Sequence, residues 1–100
     1  MAKYIKITKI AAGKNFYCYQ IAKDVHSESF YMCINPEKEQ LTFYLTRDLD
    51  KQVGIIDFKS PENERLDFAV IDRGLLWPAV SKAREALDKN EFPDYLDYCA

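Results

Sequence analysis

Two short runs of alternating residues constrain the fold more than any other feature. In residues 29–35, and again in residues 40–46, large apolar side chains occupy every second position. This period of two is typical of a β-strand that has one face in a hydrophobic core. Residues 35–39, between the two runs, contain Asn, Pro and three charged residues, a composition that favours a turn. We therefore predict a β-hairpin.

The apolar pattern also predicts the register of this hairpin. If the turn is centred between Glu37 and Lys38, all six large apolar residues lie on one face of the sheet. A slip of one residue would divide them between the two faces, so the pattern specifies this pairing. The predicted opposite pairs are Ile34 with Leu41, Met32 with Phe43, and Phe30 with Leu45.

Alternating segments on both sides extend the hairpin into an antiparallel meander of five or six strands. A bulge near Thr8 and Lys9 would reconcile the first strand, where Ile10 is out of phase with Ile5 and Ile7. The predicted strands are residues 3–11, 16–22, 29–35, 40–46, 53–59 and 66–72. In the outer pairs, Tyr17, Tyr19 and Ile21 oppose Ile34, Met32 and Phe30; Leu41 faces Phe58; and Leu66, Phe68 and Val70 oppose Phe58, Ile56 and Gly54.

The hydrophobic period changes after Gly74. Leu76, Val80, Ala83 and Leu87 recur at helical spacing, which predicts a helix over residues 76–89. This helix is the natural cover for the apolar sheet face, so the predicted fold class is α+β, with two layers in one domain of 100 residues. Residues 94–99 are expected to add a short turn or helix.

Charge is unevenly distributed along the chain. The net charge is −2, but the first 23 residues carry five lysines and no acid, so the rest of the chain carries −7. An acidic C-terminal half suits a basic partner, and it argues against nucleic acid as a ligand. The alternative is that these charges form an ordinary solvated surface.

The three cysteines do not form the spaced framework of a secreted disulfide scaffold. The N-terminus has no signal-peptide pattern, and no apolar run is long enough for a membrane span. We therefore expect a cytoplasmic protein without membrane association. Cys18 and Cys33 fall opposite each other in the predicted register, and in a reducing cytoplasm both are expected to be free thiols.

The sheet face opposite the helix is the more informative one for function. The predicted register places Tyr31 beside Tyr44 on this face, with Cys33 beside Thr42 and Ile55 beside Ala69. A solvent-exposed face is usually more polar, so the tyrosines indicate a partner surface. Cover by a loop or terminal segment, or burial in a homodimer, would explain the same composition.

Asp57 and Asp67 would also lie opposite each other on this outer face. Directly opposed carboxylates destabilise a sheet, so such a pair could await a cation or support acid–base chemistry. The alternative is an error in the predicted register. The single histidine, His26, has no second ligand at metal-binding spacing, and no motif predicts a metal or cofactor site.

These observations favour a non-enzymatic protein that binds a partner through surface complementarity. In size, mild acidity and lack of motifs the chain is similar to bacterial toxin-neutralising (immunity) proteins. That similarity implies a basic toxin as the partner, with acids and aromatic anchors at the C-terminal end making the contact. One alternative is a small enzyme or ligand-binding domain that uses Asp57 and Asp67 with nearby Asp50 or Asp72, and another is a homodimer through the outer face. The expected contact residues are Asp88, Glu91, Asp94, Tyr95, Asp97 and Tyr98, with Tyr31 and Tyr44 on the sheet.

Overall fold

The computed structural model describes residues 4–23 and 30–99. It is an α+β domain with two layers, an antiparallel sheet and one long helix near the C-terminus. A short 3-10 turn, Pro61–Asn63, precedes β6. The strands are β1 (Tyr4–Ala12), β2 (Tyr17–Ala22), β3 (Phe30–Asn35), β4 (Gln40–Tyr44), β5 (Gln52–Asp57), β6 (Arg65–Leu66) and β7 (Tyr98–Cys99), and the helix is α1 (Arg73–Lys89).

Strands β1 to β6 follow one another in meander order, and β7 is added beside β1. The central registers are those that the apolar alternation predicts. Met32 lies opposite Phe43 in the β3–β4 hairpin and opposite Tyr19 in the β2–β3 pair. The predicted bulge in β1 is present between Lys9 and Ala11, about one residue later than expected.

The core lies between the sheet and α1. Side chains from β1 to β5 that face the helix are almost completely buried, and Leu75 and Leu76 of α1 meet them from the other side. Ala79, Ala83 and Ala86 continue the buried stripe of the helix. Because these side chains are small, the helix backbone can lie close to the sheet, where Phe43 and Tyr19 are the largest fully buried side chains.

The predicted register after β4 is wrong. Leu41 lies opposite Ile56 instead of Phe58, and the ladder shifts by one further residue between Phe43 and Tyr44. An irregular connection of seven residues, 45–51, separates the two strands, and a two-residue error there moves no side chain to the other face. Leu45, predicted opposite Phe30, lies past the end of β4, partly buried against the core.

The predicted sixth strand, residues 66–72, ends after Leu66. The Asp67 carboxylate accepts a hydrogen bond from the amide of Ala69 at 3.0 Å, and its carbonyl accepts from Val70 and Ile71. This turn replaces the rest of the predicted strand. In the short β6 that remains, Leu66 lies opposite Gly54 and Arg65 lies opposite Ile55. Phe68 and Val70 therefore leave the core side of the sheet, and the expected pairing of Ile55 with Ala69 does not occur.

Helix α1 begins three residues earlier than predicted. Asp72 is its N-cap, and the Asp72 carboxylate accepts from the amide of Gly74 at 2.7 Å. Pro78 lies in the second turn of this helix. The predicted end is confirmed: Asn90 adopts a left-handed conformation, and its amide donates to the carbonyls of Ala86 and Leu87.

The C-terminal tail, residues 91–99, forms no helix; it closes the outer edge of β1. Lys9 donates its amide to the carbonyl of Asp94 and Leu96 donates to Ile7, both at 2.8 Å. The expectation of a turn or helix at 94–99 is wrong because an uncovered edge strand leaves backbone groups unpaired, and the tail satisfies them.

Side-chain contacts also hold the tail against the sheet. The Asp97 carboxylate accepts from the amide of Ile7 at 2.9 Å and from the hydroxyl of Tyr4 at 2.5 Å. The ring of Phe92 stacks on Tyr17, with ring centroids 4.2 Å apart. The buried Tyr19 donates its hydroxyl to the carbonyl of Pro93 at 2.7 Å.

Replacement of Asp97 by Ala should therefore destabilise the fold. It removes the acceptor for Ile7 and Tyr4, and hydrogen bonds to a charged group contribute about 1.5–3 kcal/mol. We expect the free energy of unfolding in urea to fall by about 1–3 kcal/mol. Asp88→Ala is the matched control, because among the described residues the Asp88 carboxylate makes only an exposed ion pair with Arg84, and its loss should change stability by about 0.5 kcal/mol or less. Equal losses in both variants would contradict the anchoring role of Asp97.

Tyr19 should make stability depend on alkaline pH. Burial, with smaller contributions from Asp94 and Tyr17, raises the pKa of Tyr19 from 10.0 to about 12. Between these two values the unfolded chain loses the Tyr19 proton and the folded chain keeps it, so the free energy of unfolding should fall as pH rises. Tyr19→Phe should remove this part of the pH dependence, and at neutral pH should cost about 0.5–1.5 kcal/mol through the lost hydrogen bond. Urea unfolding of both proteins at several pH values measures the difference, and parallel curves across this range would exclude the effect.

Candidate functional site

The predicted acidic contact residues are largely engaged within the fold. The Asp94 carboxylate lies 3.3 Å from the ammonium of Lys9, and that of Asp88 lies 3.5 Å from Nε of Arg84. Asp97 accepts hydrogen bonds from Ile7 and Tyr4. Glu91 is exposed and has no ion pair among the described residues. The structure thus brings these acids to one end of the molecule. Among them, Glu91 is the one whose carboxylate makes no ion pair or hydrogen bond with another described residue.

The two aromatic residues of the tail differ from each other. Tyr95 has 65% of its surface exposed, more than any other large hydrophobic side chain in the described part of the chain. Tyr98 pairs with Ile5 in the β1–β7 ladder and packs against the core. Of the predicted C-terminal anchors, Tyr95 is therefore the one that a partner can reach readily.

The outer sheet face places Tyr31 opposite Tyr44 and Cys33 opposite Thr42, as predicted. Tyr31 is buried, with 9% of its surface exposed, and Tyr44 is half-buried. Little of Tyr31 is therefore accessible to a partner.

Cys18 and Cys33 form a disulfide between β2 and β3. Their opposition in the ladder was predicted, but the expectation of free thiols is wrong. The two Cα atoms are 4.1 Å apart, a separation close to that of directly opposed residues in a non-hydrogen-bonded antiparallel pair. At such positions the side chains approach each other closely enough for the sulfur atoms to bond.

The predicted pair of Asp57 and Asp67 does not exist. Asp57 lies opposite Gln40 in β4, and β6 ends before Asp67. The Asp57 carboxylate accepts from the side-chain amide of Gln40 at 2.9 Å and from the backbone amides of Lys59 and Ser60 at 2.9 and 3.0 Å. It fixes the turn that follows β5, so its role is structural.

The remaining acids of the carboxylate hypothesis are also dispersed. Asp67 and Asp72 each accept from a backbone amide in separate turns, and Asp50 accepts from the hydroxyl of Thr46 at 2.6 Å. Within residues 4–23 and 30–99, no group of three or more His, Cys, Asp or Glu side chains is placed to hold a metal ion. His26 lies outside the described residues.

At the junction of β6 and α1, Phe68, Arg73 and Trp77 form a surface that the sequence pattern did not predict, and the exposed Val70 lies two residues from Phe68 in the chain. Phe68, Val70 and Trp77 are 36%, 45% and 46% exposed. The rings of Phe68 and Trp77 lie 6.2 Å apart at an angle of 44°. The guanidinium of Arg73 lies over the ring of Phe68, 4.1 Å from its centroid. We call Phe68, Val70, Arg73 and Trp77 the Trp77 patch.

The charge of Arg73 is not neutralised by an ion pair with any described carboxylate. The nearest acids in sequence, Asp67 and Asp72, accept hydrogen bonds from the amides of Ala69 and Gly74. The patch therefore combines an apolar surface with one available cation whose side chain is already held against an aromatic ring.

A signal for this patch was present in the sequence. Trp77 is the single tryptophan, and it lies outside the helical stripe formed by Leu76, Val80 and Ala83. A large apolar residue on the solvent side of an amphipathic helix is an indication of a contact surface. The assignment of Phe68 and Val70 to a strand concealed their proximity to it.

Comparison with known proteins gives no assignment: no family model matches the sequence, and neither a curated protein nor a solved structure is significantly similar to it. Across the described residues, no helix has the length and apolar character needed to cross a membrane.

The structural role of Asp57 predicts an acid-dependent stability. The hydrogen bond from Gln40, together with those from the turn, lowers the pKa of Asp57 from its ordinary value of 3.8. The stabilisation is therefore complete above that value and is lost as pH falls through the lower pKa of the folded state. Asp57→Asn should destabilise the fold at neutral pH and flatten the acid limb of stability, measured by urea unfolding from about pH 7 to pH 2. The control is Asp67→Asn, which keeps a hydrogen-bond acceptor in its own turn. If stability fell with decreasing pH to the same extent in wild type and Asp57→Asn, the structural role of Asp57 would be refuted.

Proposed function

We propose that this protein is a non-enzymatic binding module, and that the Trp77 patch is its contact surface for a protein partner. The partner segment would present an apolar side chain to Phe68, Val70 and Trp77, and a carboxylate to Arg73. The observation that carries the proposal is the exposure of three large apolar side chains, one of which stacks under an arginine that has no ion-pair partner among the described residues.

The composition of the patch supports this proposal. Trp and Arg are over-represented among the residues that dominate binding energy at protein interfaces, and aromatic side chains are enriched there in general. The stack on Phe68 restricts the guanidinium of Arg73 before binding, so less conformational entropy is lost when a carboxylate is bound. A carboxylate can accept two parallel hydrogen bonds from such a guanidinium, which provides selectivity as well as affinity.

A random peptide library displayed on phage would test the proposal, because the selection requires no candidate partner. We expect selected peptides to contain an aromatic or aliphatic residue next to Asp or Glu. Since Trp77 is the sole tryptophan, a shift of its emission to shorter wavelength on peptide binding would report contact at the patch directly.

Variants then identify the contributing groups, with affinity measured by the fluorescence anisotropy of a labelled peptide. Trp77→Ala should weaken binding about 30-fold or more, the effect of losing a contact worth about 2 kcal/mol. Arg73→Glu should weaken it about tenfold, and a peptide with Lys in place of its acid should bind that variant better than wild type. Lys82→Glu makes the same charge change elsewhere on α1, and Tyr95→Ala removes an aromatic side chain outside the patch; both should bind as wild type does. Peptides that bind equally well to Trp77→Ala and Arg73→Glu would refute the proposal.

A second candidate surface is the acidic end, with a basic partner as in toxin-neutralising proteins of bacteria. The high exposure of Tyr95, together with an exposed Glu91 that has no ion pair among the described residues, favours it. If this surface is used, the same selection will yield peptides rich in Lys and Arg, and Glu91→Lys and Tyr95→Ala will weaken their binding. Glu91→Lys is a better probe than charge reversal at Asp97, because Asp97 also anchors the tail.

The enzyme and homodimer hypotheses have less support. A carboxylate enzyme loses its geometric basis with the separation of Asp57 from Asp67. A homodimer through the outer sheet face stays a prediction, and a monomer at high concentration in sedimentation velocity would contradict it.

A cytoplasmic location also stays a prediction. The Cys18–Cys33 disulfide weighs against it, because disulfides persist mainly in oxidising compartments.

A further inference from the structure

A cleft lies on the outer sheet face, above the Cys18–Cys33 disulfide and away from the Trp77 patch. Its volume is about 270 Å³. The disulfide is in its lining, and the walls come from two separate connections, the β1–β2 turn and the loop after β4. The side chains around it include those of Phe16, Cys33, Gln40, Thr42, Tyr44 and Leu49.

The two walls are apolar. Phe16 follows the turn between β1 and β2, has 42% of its surface exposed, and its ring lies against Gly13 in that turn. Leu49, from the loop after β4, also lines the cleft and is half-buried. The cleft therefore presents an aromatic ring and an aliphatic side chain to any molecule that enters it.

The backbone of Leu49 is an unusual one for its residue type. Its φ is 56°, in the left-handed region that favours Gly, Asn and Asp. Two hydrogen bonds stabilise this loop conformation. The amide of Leu49 donates to the carbonyl of Thr46, and the Thr46 hydroxyl donates to the Asp50 carboxylate. A leucine at this position costs backbone energy, and the same residue lines the cleft.

Two hydroxyl groups line the cleft without a hydrogen bond to another described residue, those of Thr42 and Tyr44. Two neighbouring amide side chains are each partly engaged: Gln40 donates through Nε2 to Asp57, and Asn35 accepts through Oδ1 from the amide of Lys38. The cleft thus combines apolar walls with a small number of available hydrogen-bonding groups, which is the usual composition of a small-ligand site.

We propose that this disulfide cleft binds a single aromatic ring that carries a hydroxyl group, from either a free phenol or a tyrosine side chain. The volume sets the size of the ligand, since an apolar cavity of about 150 Å³ holds benzene and drug-sized sites begin at about 300 Å³. The ring would lie between Phe16 and Leu49, and its hydroxyl would bond to Thr42 or Tyr44. The site is separate from the Trp77 patch, so either proposal can fail alone.

The test is a titration followed by the backbone amide signals of the isotope-labelled protein in NMR, with p-cresol as the probe and toluene as its counterpart without the hydroxyl. We expect saturable shifts confined to amides around the cleft, and a dissociation constant about tenfold lower for p-cresol than for toluene. The tripeptide Gly-Tyr-Gly distinguishes the two sources: binding as tight as that of p-cresol supports a tyrosine of a protein chain, and binding of p-cresol alone supports a free phenol.

Three variants separate the cleft from the rest of the fold. Thr42→Val should remove the preference for p-cresol over toluene if Thr42 is the bonding partner, and Tyr44→Phe should do so if Tyr44 is. Leu49→Gly relieves the left-handed backbone, so it should weaken p-cresol binding about tenfold without lowering the melting temperature. Thr8→Val, which removes a hydroxyl from the same sheet face in β1, should leave binding unchanged.

Several results would overturn the proposal. Shifts that do not saturate, or that fall on the Trp77 patch instead of the cleft, would show that the cleft does not bind the ring. Equal affinities of wild type, Leu49→Gly and both hydroxyl variants for p-cresol would show the same.

Discussion

The stability of this domain depends on the exclusion of water from one apolar face of an antiparallel sheet. Large side chains such as Phe43, Met32 and Ile21 all point to that face and are almost completely buried. Helix α1 covers the centre with Leu75, Leu76 and a stripe of alanines. One helix cannot also cover the β1 edge, and the tail completes the cover there with Phe92, Leu96 and Tyr98. The same residues that close the core therefore determine which surfaces remain free.

This arrangement has a consequence for function. A tail that is bonded to β1 through backbone, carboxylate and phenol groups is a poor candidate for a separate binding segment, even though it is acidic. In the unbound protein, Asp94 already forms an ion pair with Lys9, and Asp97 already accepts a hydrogen bond from the amide of Ile7. The Trp77 patch differs in that its apolar side chains are exposed and its cation has no described ion-pair partner. Surface complementarity, predicted from the sequence as the mode of action, is thus better supported at the other end of α1.

The central part of the fold could be predicted because it depends on a period of two. Once Met32 must share a face with Phe43, the registers of β2, β3 and β4 follow, and with them the opposition of Cys18 and Cys33. The register beyond β4 could not be predicted in this way, since shifts of two or four residues preserve the face. It depends on the irregular connection at residues 45–51, and neither the bulge after Phe43 nor the left-handed Leu49 in that region leaves a pattern in the sequence.

The failures at the two sheet edges have different physical causes. Leu66, Phe68 and Val70 alternate like a strand, but hydrogen bonds to the side chain and the carbonyl of Asp67 stabilise a turn there instead. The C-terminal segment has no strong local preference, and its conformation follows from the unpaired edge of β1, far away in sequence. Both errors affected the prediction of the site. The strand predicted at 66–72 concealed the Trp77 patch, and the turn or helix predicted at 94–99 left Asp97 as a residue free to contact a partner.

Native-state hydrogen exchange tests most directly whether the tail is part of the cooperative fold. The amides of Lys9 and Leu96 report the two backbone bonds between β1 and the tail. If the tail is integral to the core, both should exchange with the same free energy of opening as the amides of the buried Leu41 and Phe43 in β4, which we expect to open only on global unfolding. Exchange of Lys9 and Leu96 at a much lower free energy would mean that the tail detaches from the folded sheet. The acidic end would then be free to bind a partner, which would contradict the tail's role in closing the core.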